Sequence, residues 1–221
     1  MVNAVMFTCS RHEKAALIAA EAASAYYNVI LAFDKDDVAF KSPYRSVSTG
    51  FSRNGNLNGF EAARGIADTL LANMDGDYVL KFDSDTVIRD NSFFYGYDAA
   101  GFAHPFVPTA MLGCCYHLSR RALEFSIESL KKLEYMGIRV QGEDVLITSY
   151  ASSMRAEGFK LNLLSNKHIG VWHPTLSPIL TCKIGNFGNY RIDANWHHES
   201  ALLAMKQYAD STIDTRQVVS S

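Results

Sequence analysis

The stretch "GDYVLKFDSDTVIRD", residues 76–90, decides the reading of the fold. It leaves a turn at Asp75 and Gly76, runs through the apolar segment "DYVLKF", and delivers Asp83 and Asp85 with one serine between them. A strand that is apolar on consecutive residues, rather than on alternate ones, suits a parallel sheet covered on both faces. In open α/β sheets ligands bind beyond the carboxyl ends of the strands. The two aspartates are therefore read as site residues at the end of a buried strand.

The chain on either side supports a sheet of this kind. "NAVMFTCS" (3–10) is a first strand and "SRHEKAALIAAEAASAYY" (10–27) a helix, with Ser10 and Glu13 spaced as a capping box. "NVILAFDKDD" (28–37) is a second buried strand ending at Asp34. Residues 42–60, rich in Ser, Asn and Gly, read as one long loop. Asn58 and Glu61 then open the helix "EAARGIADTLLANM" (61–74), with Ala63, Ile66, Ala67 and Leu70 on one face. After Asp85 come aromatic loops, a strand "PTAMLGCCYHLS" (108–119), and a helix over 119–137 with Leu123, Ile127 and Leu130 inward. A short helix closed by Gly158, a strand "FKLNLLS" (159–165) and a late helix "WHHESALLAMKQYA" (196–209) complete the reading.

With 221 residues, 48% hydrophobic and 20% charged, the chain can bury a sizeable core, and one α/β domain is expected. A net charge of −2 gives no global field toward a polyanion. Cys9, Cys114, Cys115 and Cys182 have no C-x-x-C spacing and read as reduced thiols. No leader and no membrane span are read, so a cytoplasmic protein of a bacterium or phage-infected cell is expected.

A bare D-x-D is weak, since about one match is expected by chance in a chain of this composition. Three occur: Asp34/Asp36, Asp75/Asp77 and Asp83/Asp85. Asp75 and Asp77 flank a glycine between a helix and a strand, which is turn chemistry. The other two pairs follow buried strands. Carboxylates this close repel in a partly dry site unless a cation offsets them, and Mg²⁺ or Mn²⁺ held by one or two carboxylates keeps positions for phosphate oxygens. Further on, "VQGEDVLITSY" (140–150) places Glu143 and Asp144 at a helix start, where the macrodipole favours ionised carboxylates. "KHIGVWHP" (167–174) supplies His168 and His173 as further metal-ligating groups.

Taken in order, these pieces resemble the GT-A-fold nucleotide-sugar glycosyltransferases over roughly residues 3–175. The resemblance implies a single GT-A-like α/β domain over 1–221, with a mostly parallel mixed sheet flanked by helices. Residues 1–90 would form the nucleotide-sugar-binding half, 91–175 the acceptor and catalytic half, and 176–221 a C-terminal extension. Asp85 matches the metal-binding aspartate, and Asp83 its partner, a second candidate metal ligand that would also reach ribose, sugar or a metal-bound water. Asp144 matches the catalytic base of inverting members, and Glu143 the neighbour that orients the acceptor. His173 resembles the late metal-ligand histidine, with His168 as alternate. Thr8 and Asp34 stand where such enzymes hold the nucleoside, and Arg53 and Arg64 where they contact base or phosphate.

The implied reaction is metal-dependent transfer, with Mn²⁺ or Mg²⁺, of a sugar from a nucleoside diphosphate donor, a UDP-sugar first, to an acceptor hydroxyl with inversion. One acceptor class is double-stranded DNA carrying hydroxymethylated pyrimidines such as 5-hydroxymethylcytosine. Arg120, Arg121, Lys131, Lys132, Lys183 and Arg191, with Tyr190 and Trp196, would contact it. A sugar-phosphate nucleotidyltransferase is the first alternative, but it needs a Gly-rich basic loop after the first strand, where this chain has "TCSRHEK". A non-catalytic nucleotide-binding protein of the same fold is the second.

Overall fold

A computed structural model describes residues 1–52, 59–103, 111–137, 151–164, 179–181 and 194–210. In chain order the elements are β1 (Asn3–Thr8), α1 (Glu13–Ser24), β2 (Asn28–Phe33), β3 (Arg45–Ser48), α2 (Gly59–Ala72), β4 (Tyr78–Asp83) and β5 (Thr86–Ile88). They continue with β6 (Ala99–Ala103), β7 (Met111–Ser119), α3 (Arg120–Tyr135), α4 (Ala151–Ala156), β8 (Leu161–Leu164), β9 (Ile179–Thr181) and α5 (Ala194–Asp210). Seven strands form one sheet in the order β3-β2-β1-β4-β7-β6-β8, and β5 pairs with β9 in a small second sheet. β7 runs antiparallel to both of its neighbours, and the other pairings in the large sheet are parallel.

The sheet is the middle layer of three, and the side-chain alternation of its strands builds both cores. Ala4 and Met6 of β1, Leu31 and Phe33 of β2, and Leu80 and Phe82 of β4 face α1, with Met205 and Tyr208 of α5 in the same cluster. Val5 and Phe7, Ala32 and Val79 face α2 and α3. This is why β1 and β2 read as unbroken apolar runs. The buried face of α1 is alanine throughout, at 15, 16, 19, 20 and 23, which lets its backbone lie close on the sheet.

α2 buries Ala63, Ile66, Ala67 and Leu70, the face expected from its periodicity. Gly65, on the same helix, lies against the Phe51 ring, and a methyl group there would overlap that ring. Gly65→Ala is expected to lower Tm despite a helix-propensity gain of about 1 kcal/mol, because overpacking costs about 1–3 kcal/mol. Thermal melts of Gly65→Ala and of Gly65→Ala with Phe51→Ala check this: the second change should recover the part of the loss due to overlap.

Three expectations are corrected. Residues 42–60 are not one loop, because Arg45–Ser48 pairs with β2 as the edge strand β3. Its residues are mostly exposed, so no hydrophobic pattern marked it. β6 replaces part of the aromatic loop after Asp85, and its composition, "AAGFA", carries little strand propensity. The Ser10–Glu13 capping box does not form. Residues 10–12 make a separate 3-10 turn, the α1 cap is His12 with no side-chain hydrogen bond, and the Ser10 amide donates to Asp37 Oδ2 at 2.7 Å. By contrast, Ser119 caps α3 by accepting from the Ala122 amide, and Gly76 and Gly158 adopt the left-handed φ that their turns require. Among the described residues no helix is long and apolar enough to cross a membrane.

Candidate active site

Three parallel neighbours, β2, β1 and β4, end at the same edge of the sheet, and their last residues carry the polar groups. In the register of β1, Thr8 stands beside Phe33 and Phe7 beside Asp83. Thr8 and Asp34 are buried at this edge. Strand spacing of about 4.8 Å places the ends of these three strands within about 10 Å of one another. Thr8, Asp34 and Asp83 are therefore brought together at one edge.

Asp83 closes β4, and Ser84 and Asp85 form the turn into β5. Ser84 is buried, and its Oγ lies 3.1 Å from His12 Nδ1. The 3-10 turn after β1 thus clasps the aspartate turn through His12. A hydrogen bond with Cys9 raises the His12 pKa, burial opposes it, and the charges of Cys9 and Asp85 add to the rise. Burial pushes the Cys9 thiol up, but the hydrogen bond and charge of His12, together with the backbone amides of Arg11 and His12, outweigh it and leave the thiol below its ordinary value.

Behind Asp83 stands a group that the sequence reading passed over. Lys81 lies on the same face of β4 as Asp83, is buried, and places its Nζ 2.5 Å from Asp83 Oδ1. The ammonium also donates to the Gly113 carbonyl of β7 and lies 6.0 Å from the Phe7 ring centre and 5.6 Å from that of Tyr116. A lysine in the central layer persists only because its stem packs apolar surface while its head is paired. The signal was present: a cation in an otherwise apolar strand, two residues before the first aspartate, must share that aspartate's face.

Asp37 completes the rim. Its Oδ2 accepts from the Ser10 amide and its Oδ1 from the Val38 amide at 2.9 Å. Partial burial opposes ionisation, but the Ser10 side chain, these two amides and the Arg11 charge together hold the carboxyl below its usual range.

The other expected residues are placed as follows. Arg64 is ion-paired with Glu134 of α3. It lines a cavity of about 680 Å³ with Lys35, Asp36, Phe51, Glu61 and Asp68, whose lining includes none of Thr8, Asp34, Asp83 or Asp85. Arg53, Glu143, Asp144, His168 and His173 lie outside the described residues.

Arg120 and Arg121 stand at the opposite edge of the sheet. Ser119, which precedes them, pairs with Tyr78 at the start of β4, and five residues of strand, about 17 Å, separate that point from Asp83. Their guanidinium groups donate to the Gly76 and Glu157 carbonyls, and Arg121 also covers the Phe159 ring. Lys131 pairs with Glu128. Lys183, Tyr190 and Arg191 lie outside the described residues, as does the side chain of Trp196.

Among the described residues no three His, Cys, Asp or Glu side chains stand close enough to hold an ion by themselves. A caged metal does not fit this part of the site. A cation carried mainly by water and phosphate oxygens fits it, because such a shell needs only one or two protein carboxylates.

The fold is that of the GT-A glycosyltransferases. Solved structures that share it include a glycosyltransferase involved in the glycosylation of the major capsid of PBCV-1, at TM-score 0.52 and 9% identity, covering 90% of this chain and 98% of that one. An active-site mutant of LgtC aligns at TM-score 0.52 and 11% identity, covering 98% and 99%. The glycosyltransferase GlyE of Streptococcus pneumoniae TIGR4 aligns at TM-score 0.50 and 11% identity. That alignment covers 96% of this chain, which spans 66% of the GlyE structure. No family model matches the sequence. No curated protein matches it either. On the GT-A frame, the aspartate turn occupies the carboxyl edge of the sheet, where ligands of open α/β folds bind.

One buried histidine stands apart from this edge. His117 of β7 stacks on Tyr78 at 4.9 Å and tilts against Phe94 at 5.6 Å, and burial lowers its pKa to about 4. An unfolded histidine titrates near 6.5, so as pH falls the unfolded chain takes up the proton first. The stability associated with neutral His117 is intact above about pH 6.5 and is lost as pH falls toward 4, by up to about 3 kcal/mol. Urea midpoints across this range should fall more steeply for the wild type than for His117→Phe.

Proposed function

We propose that the chain is a metal-dependent, inverting glycosyltransferase that takes a sugar from a nucleoside diphosphate, with a UDP-sugar as the first donor to test. The observation that carries this reading is the "DSD" turn at the carboxyl edge of β4, beside Thr8 and Asp34, in a fold shared with solved glycosyltransferases. Thr8 and Asp34 would hold the nucleoside. Asp83 would accept from a donor hydroxyl. Asp85 would hold a divalent cation, Mn²⁺ or Mg²⁺, which supplies charge for the departing diphosphate, with His173 or His168 as a further ligand.

Asp144 would take the proton from the acceptor hydroxyl as its oxygen attacks C1 of the sugar, and Glu143 would orient that acceptor. The pair of electrons in the C1–O bond leaves with the diphosphate, and attack from the opposite face inverts the anomeric centre. Arg53 would contact base or phosphate.

The nucleotidyltransferase alternative is disfavoured by the turn after β1. A triphosphate cradle needs backbone amides aimed at the ligand. Here the Ser10 amide donates to Asp37 and the His12 amide to the Cys9 carbonyl. For the acceptor, the positions of Arg120 and Arg121 give hydroxymethylated DNA no support at the aspartate edge. The test is nucleotide release from UDP-, GDP-, dTDP- and CMP-sugars with Mn²⁺, with and without hydroxymethylcytosine DNA. Metal-dependent release of one nucleotide supports the reading, and DNA stimulation at low salt would restore the DNA acceptor. Donor binding without release would favour the non-catalytic alternative.

A further inference from the structure

We propose that Lys81 is a positioning residue for the donor site: from behind the sheet edge it fixes Asp83 for the donor nucleotide and leaves the cation to Asp85. This rests on the glycosyltransferase reading, and it assigns a role to a side chain which that reading does not use.

The geometry makes the case. Val79, Lys81 and Asp83 project from the same face of β4, and the lysine stem lies between Val5 of β1 and Tyr116 of β7, its register partners. Val5, Phe7, Val79 and Tyr116 all belong to the core beneath α2 and α3, so the ammonium has apolar neighbours on its own level. It reaches toward the carboxyl edge, to Asp83 Oδ1 and the Gly113 carbonyl. Asp83 is 35% exposed whereas Lys81 is 3% exposed, so the carboxylate meets solvent on one side and a buried cation on the other.

Two consequences follow for ligands. With Oδ1 engaged by the ammonium, Oδ2 is the oxygen through which Asp83 can accept a ligand hydroxyl. A second cation beside the same carboxylate would face the Lys81 charge at short range in a partly dry site, where like charges repel strongly. The donor hydroxyl, which carries no charge, meets no such penalty. Lys81 thereby divides the labour of two otherwise equivalent carboxylates.

The pair also predicts how variants fold. Removing one member of a buried ion pair leaves the other uncompensated, whereas removing both together is often nearly neutral. Lys81→Met and Asp83→Asn should each lower Tm, and the double variant Lys81→Met/Asp83→Asn should recover most of that loss.

The experiment is titration of wild type, Lys81→Met, Asp83→Asn, the double variant and Asp85→Asn with Mn²⁺ alone and then with UDP or GDP in the presence of Mn²⁺. Binding is read by calorimetry and by the Mn²⁺ electron-spin signal. The double variant is expected to keep Mn²⁺ affinity within about threefold of wild type while its nucleotide affinity falls about tenfold, on the order of one good hydrogen bond to a charged group. Lys81→Met, where it folds, should bind Mn²⁺ more tightly than wild type. Loss of Mn²⁺ binding in the double variant to the extent seen in Asp85→Asn would overturn the proposal, because Asp83 would then be a metal ligand. Unchanged nucleotide affinity in the double variant would also overturn it and reduce the pair to a structural one, leaving the glycosyltransferase reading intact. A wild type that binds neither nucleotide with Mn²⁺ would overturn both.

Discussion

Asp85→Asn is expected to abolish metal-dependent release of nucleotide from the donor sugar, lowering turnover by on the order of 10³-fold, while the protein keeps its fold. The size follows from the role proposed for the residue. Removing one preorganised group that meets developing charge costs about 10²–10³ in rate, and the loss of cation affinity adds to it. The side chain sits in a turn between β4 and β5 and is partly exposed, so the amide should not disturb the core. Single-turnover assays at rising Mn²⁺ separate the two losses: a binding defect is recovered by excess metal, a rate defect is not. Equal turnover in wild type and Asp85→Asn would remove Asp85 from the reaction.

Asp144→Asn should lower turnover by about 10²–10⁴-fold, the usual reach of general-base assistance, with donor binding unchanged. The separation of the two effects is the informative part. A base acts only on the acceptor proton, so calorimetry with the nucleoside diphosphate should give the wild-type affinity. Slow hydrolysis of the donor by water should fall less than transfer does. A variant that loses nucleotide affinity instead would place Asp144 at the donor, and Glu143 would become the candidate base.

How much of this could be read from the amino-acid order depended on burial. β1, β2 and β4 are central strands covered on both faces, so their residues are apolar in succession and they stand out. The edge strand β3 and the Ala/Gly-rich β6 are defined by their pairing partners, and nothing in their own composition marks them. The same division holds at the site. Asp83 and Asp85 announce themselves by following an apolar run, and Lys81 could have been found from strand periodicity. His12 could not, because its contact with Ser84 spans 72 residues and depends on a 3-10 turn that local capping rules assigned to the helix. Asp37 captured the Ser10 amide for the same kind of reason: a partner from the end of the next strand outcompeted a local one.

The placement of the cations narrows the acceptor question. Helix α3 follows a strand antiparallel to β4, so its first residues lie at the amino end of β4, and Arg120 and Arg121 are used there to hold carbonyl groups. Their adjacency in sequence suggested a phosphate-binding patch, but strand direction sends them away from the aspartate turn.

Under the proposed function the "DSD" turn would seat the cation and diphosphate of a sugar nucleotide. Its most direct test is an anomalous difference map from a crystal of the wild-type protein soaked with Mn²⁺ and UDP. The expected result is a manganese peak at the Asp85 carboxylate beside the bound diphosphate, with the Asp83–Lys81 pair intact. A nucleotide bound without metal at this turn, or a manganese peak at any other cluster of side chains, would contradict it.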